Sequence, residues 1–93
     1  MSEQNKLPKV TLPRTSDGFQ KKLDKMVKDG IKTPEDAYKY SVLMFESVEF
    51  EMKRLEAFKD NELAAGLIER YEALRGKWKK RLEYTKNQLI NAL

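Results

Sequence analysis

The chain contains neither cysteine nor histidine. Without cysteine there are no disulfides, zinc–thiolate sites or thiol nucleophiles. Without histidine the commonest general base and the commonest metal ligand are gone. Glycine is sparse: Gly18, Gly30, Gly66 and Gly76 stand apart, so no glycine-rich loop cradles a phosphate. No apolar run approaches the roughly 18 residues of a membrane span, and there is no signal-peptide pattern. The expectation is a cytoplasmic protein that does not enter a membrane.

What is present, over 93 residues, is 37% charged, 40% hydrophobic and 10% aromatic side chains. That balance fits one small folded domain rather than a disordered chain. Serine and threonine hydroxyls find no histidine to activate them. Glu46 with Glu49, and Glu69 with Glu72, stand three residues apart, as paired carboxylates do in helical di-metal sites. Those sites add Glu-x-x-His motifs that this chain cannot supply, so solvated glutamates beside Lys or Arg are the simpler reading. We expect no enzyme, no cofactor and no metal.

The distribution of charge says more than its net value of +4. Residues 1–33 carry 8 basic and 4 acidic side chains, residues 34–62 carry 4 and 8, and residues 63–93 carry 7 and 3. Two basic segments flank an acidic one. A basic segment can bind phosphate by counterion release, or lie against an acidic helix or acidic partner. In the last segment Lys77, Lys79, Lys80 and Arg81 surround Trp78. They are the candidate contacts to a nucleic acid or acidic partner, while the ring itself sits on an apolar seam and belongs to the core.

The fold class is mainly α: a short N-terminal extended arm or strand followed by three helices, the last long. Residues 1–15 hold Pro8 and Pro13, which disfavour helix. Between them Lys9-Val10-Thr11-Leu12 alternates polar and apolar, which predicts a strand too short to stand alone. A helix–turn–helix pair is expected over 16–58. Ser16 or Asp17 caps its first helix, Gly30 stops it, and Phe19, Leu23, Met26 and Val27 form one apolar face. Thr33-Pro34-Glu35-Asp36 starts the second helix: an N-cap, a proline at the first helical position, then acids at the positive end of the dipole. Residues 59–93 form a long amphipathic helix after a break near Lys59-Asp60-Asn61. Its Leu63, Leu67, Tyr71, Leu74, Trp78, Leu82, Thr85, Leu89 and Leu93 follow an eleven-residue repeat, which predicts a straight or slightly right-handed seam. At about 1.5 Å per residue the helix is too long for a globule of this size. It is expected to pack along the second helix as a hairpin, across a dimer, or both.

Residues 8–45 resemble the ribbon-helix-helix (Arc/MetJ-type) family of DNA-binding domains. Val10-Thr11-Leu12-Pro13 is similar to the family's strand end. Leu23-Asp24-Lys25-Met26-Val27-Lys28-Asp29-Gly30 resembles its first helix and turn, and Ala37-Tyr38-Lys39-Tyr40-Ser41-Val42 its second. The resemblance implies a dimer whose paired strands enter the major groove. Lys9 and Thr11 would then face the bases, Val10 and Leu12 the dimer core, and Thr33 with nearby N–H groups would hold a phosphate. It covers less than half the chain. Arg14-Thr15-Ser16 is an insertion relative to it, and Glu35 and Asp36 crowd the phosphate position.

Two functions therefore stand as expectations. One is a small dimeric DNA-binding regulator. The other is a helical protein–protein interaction module, an adaptor, inhibitor or assembly factor of the kind phages and mobile elements encode, with its partner on the C-terminal helix.

Overall fold

The computed structural model describes residues 7–92. It holds three helices, α1 (Ser16–Asp29), α2 (Pro34–Glu56) and α3 (Glu62–Ala92), and among the described residues no strand.

Local chemistry sets the helix ends. Thr15, rather than Ser16 or Asp17, caps α1: its hydroxyl accepts the Gly18 N–H at 3.0 Å. Ser16 is already helical and its hydroxyl turns to α2 instead, donating to Glu51 and accepting from Arg54. Gly30 ends α1 at φ 92°, with its N–H shared between the Met26 and Val27 carbonyls. A side chain at that φ is strained by on the order of 1–3 kcal/mol, so the stop depends on glycine. Thr33 caps α2, accepting the Asp36 N–H at 3.0 Å, with Pro34 at the start as expected. After a turn over residues 57–61, the Asn61 side chain accepts the Leu63 N–H at 2.8 Å and starts α3.

α2 lies between the other two helices. On one side Phe19 and Leu23 of α1 meet the fully buried Leu43, with Met26, Tyr40, Met44 and Phe50 around them. The Phe19 and Phe50 rings stand 5.5 Å apart. Burying a side chain such as Leu43 stabilises by about 1.5–3 kcal/mol. The polar link between the two helices, the Ser16 hydroxyl with Glu51 and Arg54, is partly exposed and contributes about 1 kcal/mol. Apolar contact, not charge, therefore holds α1 down.

On its other side α2 packs along α3 as a hairpin, and here the expected seam needs correcting. Every buried or half-buried residue of α3 except Ile90 falls in the series Ala64, Ile68, Tyr71, Trp78, Leu82, Thr85 and Leu89. With Arg75 included, the steps are 4, 3, 4, 3, 4, 3, 4, a seven-residue repeat rather than an eleven-residue one. Such a repeat favours a left-handed supercoil. Small Ala64 lets the helices approach near the turn. Arg75 fills its place with a guanidinium 5.7 Å from the Phe45 ring and an ion pair to Glu49. Leu63, Leu67 and Leu74, expected in the seam, stand exposed on its flank.

Of the two forms expected for the N-terminal segment, arm or strand, the single chain shows the arm. Residues 9–12 form no strand within the chain. Val10 packs against the α1–α2 core, and Lys22 donates to the Thr11 carbonyl, so the segment is held by its own helices. Pro13 lies over Gly18, where a Cβ would sit 3.0 Å from the proline ring. Leu12 remains 42% exposed. The molecule measures 46 × 25 × 20 Å, its long dimension matching the span of α3.

Candidate recognition surface

The basic run of α3 keeps its charge available. Lys77, Lys79, Lys80 and Arg81 are all exposed, and none enters an ion pair among the described residues. The acids of α2 do not neutralise them. Glu35 pairs with Lys39 and Glu51 with Arg54 within the helix, and among the described residues the one bridge across the hairpin joins Arg75 to Glu49. Arg75 stands in the seam and takes Glu49, whereas Arg81 borders the hollow it shares with Ala37 and Tyr40 of α2, where no acid lines the wall.

A shallow concavity of about 800 Å³ lies along that edge, walled by Lys77, Lys80, Arg81 and Tyr84, with Ala73 and Gly76 as its floor and Glu72 at its margin. Nothing lies within 4 Å of where a Gly76 Cβ would stand, so the floor is open helix backbone. Tyr84 is 62% exposed. It also borders two further hollows. One, of about 340 Å³, is lined by Ile31, Ala37, Tyr40, Trp78, Arg81 and Thr85. The other, of about 380 Å³, reaches Ile31, Thr33 and Pro34 at the start of α2. Tyr84 is thus the junction between a cationic edge and an apolar cleft.

Trp78 belongs to the packing, as its place on the seam predicts. Its ring meets Tyr40 edge-on at 5.9 Å, and the Arg81 guanidinium lies 5.9 Å from its centroid. That contact steers Arg81 over an aromatic face, an arrangement worth about 0.5–1 kcal/mol at an exposed site.

The residues singled out from sequence separate into two groups. Thr33 and Arg81 border neighbouring hollows joined by Tyr84, alongside Lys77 and Lys80. Lys79 points to a second face, lining a hollow with Gly76, Lys80 and Glu83. Lys9 and Thr11 are exposed on the arm and line none of these hollows. Thr33 has less to offer a phosphate than expected, because its hydroxyl accepts the Asp36 N–H while the Asp36 carboxylate takes the Lys32 N–H at 3.3 Å. The Lys32 amide beside Asp36 is the main cause holding that carboxyl below the usual aspartate range, with the Thr33 hydroxyl and amide and the Lys39 charge adding to it and desolvation opposing. A fixed negative charge therefore occupies the start of α2. Tyr84 was not among the residues the sequence pointed to. Its signal was there, since it stands three, four and seven residues after Arg81, Lys80 and Lys77 and so shares their helical face.

No protein-family model, curated protein or solved structure matches this chain.

Proposed function

We propose that this chain is a small non-enzymatic DNA-binding protein that holds the phosphate backbone against the Lys77–Lys80–Arg81 edge of α3. The observation that carries this reading is the state of those cations: exposed, in no ion pair among the described residues, and gathered round one concavity where Glu72 is the single acid against three cations. Binding by about three cations makes affinity fall with salt, with a log–log slope of roughly −2 to −3. Fluorescence anisotropy with labelled DNA over a salt series measures this. Replacing Lys77 and Lys80 together by glutamate is expected to abolish binding while the helical circular dichroism persists. Undiminished binding by that double variant overturns the reading.

The arm could add sequence readout in a dimer. Lys9 and Thr11 face outward while Val10 faces inward, the alternation a groove-reading strand needs. Against a ribbon-helix-helix dimer stands the position of α2, which is covered by α1 on one side and α3 on the other and has little apolar surface left for a twin.

A protein-interaction module is the second reading, favoured by a different observation. At the tip of the hairpin Phe58 is 65% exposed and Leu63 is 81% exposed, with Leu67 beside them on the same flank at 41%. An apolar group of this kind is where a protein partner would dock.

A further inference from the structure

We infer that the α3 surface takes single-stranded nucleic acid, with an unpaired base stacked on Tyr84 and the flanking phosphates held by Lys77, Lys80 and Arg81. This rests on the reading of α3 as a nucleic-acid surface and goes beyond it by naming the strand state and the residue that selects it.

Three observations carry the inference. The Tyr84 ring is 62% exposed at the end of the cationic concavity and shares its walls with Lys77, Lys80 and Arg81. Aromatic rings beside a basic groove stack on bases of any sequence, because every base has a π face. In a duplex those faces are already stacked on each other, so an exposed ring gains nothing there. Second, Trp78, the other aromatic in the run, is engaged edge-on with Tyr40 and carries Arg81 on its ring, which leaves the stacking role to Tyr84. Third, the floor between the lysines is Ala73 and Gly76, with open space above Gly76. A flexible strand can lie close to the helix there, whereas the stiff cylinder of a duplex meets the protruding Lys77 and Tyr84 first. The adjoining cleft of Ile31, Ala37 and Tyr40 gives the neighbouring base an apolar wall.

The test compares the full chain on a labelled oligothymidylate of about 12 nucleotides and on a duplex of the same length, by anisotropy at two salt concentrations. The expected result is tighter binding of the single strand. Tyr84→Leu, which keeps apolar volume beside Ile31, is expected to weaken it about tenfold with an unchanged salt slope. Tyr84→Trp is expected to retain binding and to show quenched indole fluorescence when the strand is bound. Equal or tighter duplex binding with no effect of Tyr84→Leu overturns the inference and leaves the phosphate reading intact. Absence of binding to either oligonucleotide overturns both.

Discussion

Asp36 shows how one side chain can fix a helix start and define a pH response. Its carboxylate accepts the Lys32 N–H and its own N–H donates to Thr33, so two otherwise orphaned donors are satisfied at once. Its lowered pKa means that the charged form is favoured by folding. The stability it contributes is complete above the unfolded-state value, about 3.9 for aspartate, and is lost as pH falls through the lower folded-state value. Asp36→Asn is expected to lower the melting temperature at neutral pH. The gap to wild type should then close as pH falls below about 4. Melting curves followed by circular dichroism across that range check both statements. The capping signals at Thr33, Pro34, Gly30 and Asn61 were legible in the sequence because each acts within four residues of itself. Thr15 was harder to read. Thr15 and Ser16 are both capable caps, and the choice between them rests on Ser16 meeting Glu51 and Arg54, residues far away in the chain.

At the scale of elements, the α2–α3 seam sets the face that α3 presents. The sequence offered two registers differing by one position over the first half of the helix. One gathers Leu63, Leu67 and Leu74; the other gathers Ala64, Ile68 and Arg75. Counting leucines favours the first, but the second is adopted. It keeps an unbroken seven-residue step and sets the Arg75 guanidinium 5.7 Å from the Phe45 ring. The neighbouring positions Leu67 and Ile68 separate the registers experimentally. Ile68→Ala is expected to cost about 1–3 kcal/mol and Leu67→Ala less than about 1 kcal/mol, measured by urea unfolding. A larger loss at Leu67 would restore the eleven-residue register over the first half of α3.

At the scale of the whole molecule, the N-terminal arm is where a single chain and a dimer would differ. The charge map, the three helices and the long last helix could all be read from one sequence, since each is a matter of local pattern. The fate of the arm could not. Four alternating residues specify an extended backbone but not what lies beside it, and Val10 finds its cover in the α1–α2 core of its own chain. Removing residues 1–13 leaves the Thr15 cap in place. The expected outcome is an unchanged number of chains per particle by light scattering with a lower melting temperature, as the contacts of Val10 and Pro13 are lost. A halved number would instead identify a ribbon shared by two chains and return Lys9 and Thr11 to the centre of DNA recognition.

The seven-residue step has one more consequence, which concerns geometry along the rod. In a straight α-helix, positions seven apart drift by about 20° per repeat, so a row of like residues winds slowly round the cylinder. A left-handed supercoil, which the repeat favours, would cancel that drift relative to the partner helix. Arg70, Lys77, Tyr84 and Asn91 stand seven residues apart, about 10.5 Å at each step, and so share one face of α3. An extended polymer laid on α3 can engage that face without twisting, and its grip would lengthen by evenly spaced increments as it covers more of the row.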